Sequence, residues 1–288
     1  MPLVASLKRY IVYTNKNDQT REEAYGQGMT PDIAIPPNGS FSFAGRVALV
    51  TGAGRGVGRA IAGELHAGGA RVAVSDIDGA AADAVAVALD ADRATAMALP
   101  LDVRDRKAFD VARDRLVQTW GKVEIVINNA GHGKRTPTAD ITSQEFDDIV
   151  AVNMRSVFFS CQAFGGVMSS QGYGRIVNIT SLAGQNGFGT VASPHYAASK
   201  AGAIGLTKAF AKEFAGTGVT VNAVSPGPLA TARERLSPEQ IAMIERTVPI
   251  GRFGEASEIA AAVALLASDR AGYITGATID MNGGLFMR

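Results

Sequence analysis

Tyr196 and Lys200 stand four residues apart in the run Tyr196-Ala197-Ala198-Ser199-Lys200. On a helix that spacing puts a phenol and an amine on one face, one turn from each other. A neighbouring cation favours the phenolate, so the pair has the makings of a general base or acid working near neutral pH. The same two residues also occur on ordinary solvated helix faces. Their meaning therefore depends on what the rest of the chain brings to them.

The first such feature is the loop Thr51-Gly52-Ala53-Gly54-Arg55-Gly56-Val57-Gly58. It follows an apolar run at 47–50 and opens a helical pattern at 57–67. Glycines permit a tight turn there and let the backbone approach a pyrophosphate, while the helix start offers free N–H groups and a positive dipole end. Asp76 ends the next apolar run, 18 residues beyond Gly58. A carboxylate at that place accepts hydrogen bonds from ribose hydroxyls and repels a 2′-phosphate. It favours NAD over NADP. Arg55 is the counter-signal, because its side chain can reach a 2′-phosphate; the residue after Asp76 is Ile77, not a base.

Elements that would carry these residues alternate along the chain. Apolar runs at 47–50, 71–75, 95–99, 123–127, 175–179, 219–224 and 278–280 read as strands. Helical patterns lie between them at 57–67, 80–89, 106–119, 143–169, 197–214, 238–246 and 256–267. Strands that are apolar throughout, separated by helices, predict a doubly wound α/β Rossmann fold: one parallel sheet covered on both faces, in a single domain. Residues 45–288 make that domain. Residues 1–44 are richer in Pro, Gly and polar side chains and read as a partly irregular N-terminal extension.

Composition narrows the function classes. The chain has 288 residues, 47% hydrophobic and 19% charged, which suits a soluble protein with a sizeable core. Lys and Arg number 28 against 27 Asp and Glu, so no basic excess points to nucleic acid. Apolar runs are too short to span a bilayer, and Lys8 and Arg9 interrupt any secretory h-region. One cysteine, Cys161, excludes an internal disulfide and fits a reducing, cytoplasmic setting. His66, His132 and His195 lack metal-ligand spacing, so no metal site is expected. A serine hydrolase is disfavoured, since no Gly-x-Ser-x-Gly elbow is present and the glycine loop would go unused.

Over 45–288 the sequence resembles the short-chain dehydrogenase/reductase family. The resemblance rests on Thr51 to Gly58, Leu101-Asp102-Val103, Asn128-Asn129-Ala130-Gly131, Val152-Asn153-Met154, Asn178-Ile179-Thr180-Ser181, the Tyr196/Lys200 pair and Pro226-Gly227 with Thr231, all in family order. Gly251-Arg252-Phe253-Gly254 and Tyr273-Ile274-Thr275-Gly276 are similar to the subgroup of 3-oxoacyl-acyl-carrier-protein reductases and related alcohol dehydrogenases. The resemblance implies catalytic roles for Asn153, Ser181, Tyr196 and Lys200. It implies dinucleotide contacts from Gly52, Arg55, Gly56, Val57, Gly58, Asp76, Ile77, Asp102, Val103, Asn129, Ala130, Gly131, Tyr196, Lys200, Pro226, Gly227, Leu229 and Thr231. Lys200 would hold the nicotinamide ribose and lower the Tyr196 pKa, and Asn153 would support a water-linked proton path. A homotetramer is implied as well.

The expected activity is therefore NAD-dependent hydride transfer between a secondary alcohol and its ketone. An NADPH-dependent 3-oxoacyl-carrier-protein reductase is the alternative, supported by Arg55 and by Lys134-Arg135. A dinucleotide-binding regulator without turnover is the alternative of another class; it would need a broken catalytic set. One spacing departs from the family: Ser181 and Tyr196 are 15 residues apart, slightly longer than usual. The intervening 185–190 and 193–195 segments would line the substrate pocket, with residues 229–247 as a lid. His195 reads as a capping or surface residue, or as a border of that pocket. Cys161 reads as a small core residue.

Overall fold

Val47–Thr51 is buried at every position, which a strand sustains only when helices cover both of its faces. This strand is β1 of a computed structural model that describes residues 41–187 and 193–287. Expectations for residues 1–40, and for 188–192 in the loop before Tyr196, fall outside the described residues.

Chain order from β1 is α1 (Gly56–Ala67), β2 (Arg71–Ser75), α2 (Gly79–Leu89), β3 (Ala96–Ala98), α3 (Arg106–Trp120) and β4 (Ile125–Asn128). Next come α4 (Ser143–Val150), a π-helical turn (Ala151–Arg155), α5 (Ser156–Ser170), β5 (Gly174–Ile179), α6 (Ala183–Asn186) and α7 (Pro194–Glu213). The chain closes with β6 (Val219–Pro226), α8 (Pro238–Thr247), α9 (Ala256–Ala267) and β7 (Thr278–Met281). The strands form one parallel sheet in the order β3-β2-β1-β4-β5-β6-β7. Strand order reverses between β1 and β4, and doubly wound sheets bind ligands at the carboxyl ends of the strands at such a switch point.

Side-chain alternation divides the core in two. Ala48, Val50, Val72 and Val74 face α1, α2 and α9, with Ile61, Leu65, Val85 and Val263 packed between. Val47, Leu49 and Ala73 face α3, α5 and α7, where Phe109, Leu116, Phe164 and Phe210 fill the layer and Cys161 is fully buried. The helices start where the sequence supplies caps: Asp78 accepts from the Ala80 and Ala81 amides, Asp105 from Lys107, and Thr142 from Glu145. A third, small apolar cluster of Ile244, Val248 and Phe253 holds α8 apart from both main layers. No helix among the described residues is long and apolar enough to cross a membrane.

Two differences from the sequence expectation matter for the site. The expected helix 143–169 is broken by the π-helical turn Ala151–Arg155, whose extra residue rotates Asn153 inward. The expected strand 95–99 shortens to three residues, but its flanking Thr95 and Leu99 still bond β2 backbone.

A buried polar ladder joins the sheet to α7. Asn128 Nδ2 donates to Asn178 Oδ1 at 2.8 Å, Asn178 Nδ2 donates to Thr207 Oγ1 at 2.9 Å, and Thr207 donates to the Ala203 carbonyl at 2.8 Å. Removing the middle rung leaves buried partners unpaired, which costs about 1–3 kcal/mol for each group. Asn178→Leu is expected to destabilise the protein by about 3 kcal/mol in urea unfolding, well beyond the change for an exposed amide such as Gln144→Leu. An unchanged midpoint would show that the ladder contributes nothing.

Candidate active site

The glycine loop leaves β1 through Thr51. The Thr51 hydroxyl accepts the N–H groups of Asn129 and Ala130, both at 3.1 Å, and so ties the end of β1 to the turn after β4. Asn129 Nδ2 returns to the Thr51 and Gly52 carbonyls at 2.8 and 2.9 Å. Gly58 is fixed by this contact: a Cβ on it would lie 2.2 Å from the Gly52 carbonyl oxygen. Gly56 has a φ of +55°, and a Cβ on it would meet nothing closer than Thr231 Cγ2 at 3.9 Å. The glycine loop thus faces Thr231, in the segment after Pro226-Gly227. Arg55 precedes α1 in an extended conformation and makes no side-chain cap, so the first amides of that helix remain available to a ligand.

Asp76 ends β2 beside this loop. Its Oδ2 accepts the Gly54 N–H at 3.0 Å and its Oδ1 accepts the Asp78 N–H at 3.1 Å. Those bonds aim the carboxylate while leaving it further acceptor capacity. Ile77, next in line, is 67% exposed. Asp102 follows β3, and its two oxygens are engaged by Arg104 Nε and Nη2. That pairing holds its carboxyl below the ordinary value, and any contact to a base would be shared with the arginine. Val103 is buried behind it. Uncapped helix amides, a glycine backbone without side chains and a carboxylate at the β2 end suit a pyrophosphate and a ribose diol.

Lys200 lies at the centre of the second half of the site, 4% exposed. Its Nζ donates to the Ile179 carbonyl at 2.8 Å. Gly131 makes room for it: a Cβ there would sit 2.8 Å from Asn153 Oδ1 and 3.1 Å from Lys200 Nζ. Asn153, 1% exposed, is held by the backbone of one residue, with Oδ1 accepting the His132 N–H at 3.1 Å and Nδ2 donating to the His132 carbonyl at 2.9 Å. The π-helical turn brings this about, because it carries the amide out of register with its helix.

Ser181 ends the segment after β5, and its Oγ accepts the Ala183 N–H at 3.2 Å. The short helix α6 then packs on α7 so closely that a Cβ on Gly184 would lie 2.6 Å from the Lys200 carbonyl carbon. Gln185 fastens α6 to the sheet edge by donating to Ser225 Oγ at 2.7 Å and to Asp280. Its side chain therefore points to β6 and β7, not into the pocket as the sequence suggests.

Ionisation here departs from the sequence expectation. Burial pushes the Tyr196 phenol above its ordinary value, and the Ser181 hydroxyl draws it part of the way back. Lys200 Nζ stands 6.0 Å from the centre of the Tyr196 ring. The lysine itself is the more perturbed group, pulled by burial from 10.5 to about 8. Tertiary burial outweighs the one-turn spacing, so Lys200 alone does not make the tyrosine acidic.

Residues that motif reading singled out thus converge on the carboxyl edge of the sheet, from Gly52 on one side to Thr231 on the other. Motif reading missed Gly184 as a spacer and Thr51 as a hub, although Thr51 opens the glycine run. His195 corrects another expectation: it is neither a surface residue nor a cap but is 1% exposed beneath Phe146.

The family model described as enoyl-(acyl carrier protein) reductase matches residues 52–286. The chain is 42% identical over 248 residues to a 3-oxoacyl-[acyl-carrier-protein] reductase of Escherichia coli, covering 86% of this chain and 100% of that protein. The chain is a short-chain dehydrogenase/reductase. This short-chain dehydrogenase/reductase is also 41% identical over 244 residues to the 3-oxoacyl-[acyl-carrier-protein] reductase of Haemophilus influenzae, covering 84% and 99% of the two chains. With the D-threitol dehydrogenase of Mycolicibacterium smegmatis it shares 37% identity over 261 residues, covering 89% and 98%. Like them it is an oxidoreductase of the family that interconverts CH–OH and carbonyl groups.

A depressed lysine carries a stability cost with a defined sign. The folded protein binds fewer protons than the unfolded chain between pH 8 and 10.5, so this group's penalty is full below 8 and fades as pH rises to 10.5. The shift corresponds to about 3 kcal/mol, less about 1 kcal/mol for the Ile179 hydrogen bond. Lys200→Met is therefore expected to be about 2 kcal/mol more stable than the parent at pH 7, with the gain gone near pH 10.5. Urea unfolding at both pH values reads this; a variant less stable at pH 7 contradicts it.

Proposed function

We propose that this short-chain dehydrogenase/reductase transfers hydride between NAD and a secondary alcohol or its ketone, with Tyr196 as general acid/base. The observation that carries the reading is the convergence of Tyr196, Ser181, Lys200 and Asn153 beside a glycine loop that faces Asp76. A bound nicotinamide dinucleotide supplies the hydride acceptor. Tyr196 takes the hydroxyl proton in oxidation and returns it in reduction. Ser181 holds the substrate oxygen next to the phenol. Lys200 anchors the cofactor ribose through a cation held at the Ile179 carbonyl, and Asn153 supports the proton path from its place at His132.

NAD is favoured over NADP because the Asp76 carboxylate, aimed by two backbone N–H groups, would repel a 2′-phosphate. Arg55 is exposed at the loop and is the group an NADP-dependent enzyme would use. The second reading, a 3-oxoacyl-carrier-protein reductase, is supported by the relatives and by exposed Lys134 and Arg135. D-threitol dehydrogenase among the relatives supports the broader alcohol reading. A regulator without turnover finds no support, since all four proposed catalytic positions are filled.

Residues 229–247 are the proposed lid: a 3-10 segment, Ala230–Arg235, followed by α8 on its own small apolar cluster. We place the enzyme in the cytoplasm as a homotetramer. In support, Phe158 on α5 is 41% exposed beside Phe210 of α7, and Val111 on α3 is 67% exposed.

Steady-state rates with NAD and NADP across alcohols, polyols and 3-oxoacyl substrates test the reading. NAD is expected to give the higher kcat/KM, and Asp76→Ala to narrow the ratio by about tenfold. Higher kcat/KM with NADP in the parent contradicts the assignment. Tyr196→Phe is expected to lose about 1,000-fold or more in kcat while binding dinucleotide within about twofold of the parent. Because oxidation needs the phenolate and reduction the phenol, oxidation should rise with pH and reduction fall.

A further inference from the structure

His195, the residue before Tyr196, is buried to 1% exposure. Its ring stacks on Phe146 of α4 with centroids 6.3 Å apart and planes at 23°. Its Nε2 lies 3.3 Å from Glu145 Oε1, in ion-pair reach. Among the described residues neither ring nitrogen nor that carboxylate oxygen has a well-aligned hydrogen bond. The Thr136 side chain also acts on the Glu145 carboxylate, but a buried imidazole without an aligned partner is costly unless it pairs with that oxygen.

The same two helices grip the chain that follows β4. Glu145 Oε2 takes Lys134 Nζ at 2.6 Å. Ser193, just before α7, accepts the Thr136 N–H at 3.0 Å and donates to the Lys134 carbonyl at 2.9 Å. His132, in the same strip, is the residue whose backbone holds Asn153. The strip 132–136 is therefore clasped by Asn153, by Ser193 and by the Glu145 of the His195 pair. It connects the π-helical turn to the first turn of α7, where Tyr196 sits.

We propose that His195 is a positioning residue: paired with Glu145, it fixes the first turn of α7 against the 132–136 strip and so sets the phenol of Tyr196. The kinetic part of this proposal rests on the oxidoreductase reading above; the structural part does not. Specificity for the side pair explains why a histidine occupies a position with no access to solvent. Packing alone would be met by a phenylalanine on Phe146.

His195→Phe keeps the ring and the stack and removes the polar pairing; Glu145→Gln keeps the shape and removes the charge. Both variants and their combination are compared with the parent by amide hydrogen exchange over 194–200 and by kinetics at saturating dinucleotide. Exchange in that turn is expected to quicken about tenfold in His195→Phe, at least as much in Glu145→Gln, which also loses the Lys134 pair, and no further in the double than in Glu145→Gln, because the His195 contact is already gone there. In the same proteins kcat is expected to fall about tenfold with KM and dinucleotide affinity within about twofold. Parental exchange or parental kcat in either variant overturns the proposal, as do additive losses in the double. A merely structural role would lower the melting temperature and leave kcat per folded enzyme intact. If the parent oxidises no alcohol and reduces no ketone, the functional reading falls, while the exchange comparison still decides the clasp.

Discussion

The buried ammonium of Lys200 is the constraint on which this site is built. A charge at 4% exposure is expensive, and it is tolerated because the Ile179 carbonyl accepts from it at the end of β5. That single contact requires β5 to end where it does, α7 to lie across the sheet edge, and glycines at 131 and 184 to keep backbone and side chains out of the way. The Asn128–Asn178–Thr207 ladder underneath holds β4, β5 and α7 in the same relation with no charge involved. The lysine is paid for in stability, which is why removing it is expected to strengthen the fold that it serves.

The two halves of the site meet in the turn after β4. Asn129 belongs to the glycine loop through Thr51 and Gly52; Gly131 and His132 belong to Lys200 and Asn153. Residues 129–132 thus couple the place suited to a pyrophosphate to the place proposed for proton transfer. Neither half needs a long-range device to stay in register with the other, because the parallel sheet brings both to one edge.

Much of this was legible in the sequence, for physical reasons. Strands buried on both faces leave continuous apolar runs, as in Val47–Thr51, and a loop that must approach a phosphate leaves glycines at fixed offsets. Tyr196 and Lys200 announce themselves by helical spacing. What escaped was tertiary. The π-helical turn has no local signature: Val152-Asn153-Met154 looks like ordinary helix until the inward amide finds the His132 backbone. His195 has the composition of a surface residue and is buried by Phe146, which no spacing predicts. The Tyr196 pKa was read from its nearest charge, whereas burial sets its direction. Gly184 looks like any loop glycine until α7 is placed against it.

The central claim is that this edge of the sheet moves a hydride directly from a carbinol carbon to nicotinamide while Tyr196 takes the proton. Secondary alcohols deuterated at the carbinol carbon, incubated with the enzyme and NAD in ordinary water, test it most directly by mass spectrometry of the dinucleotide product. The account predicts one deuterium in the reduced dinucleotide, at a rate abolished in Tyr196→Phe. Reduced dinucleotide without the label, or label transfer undiminished in that variant, would contradict it.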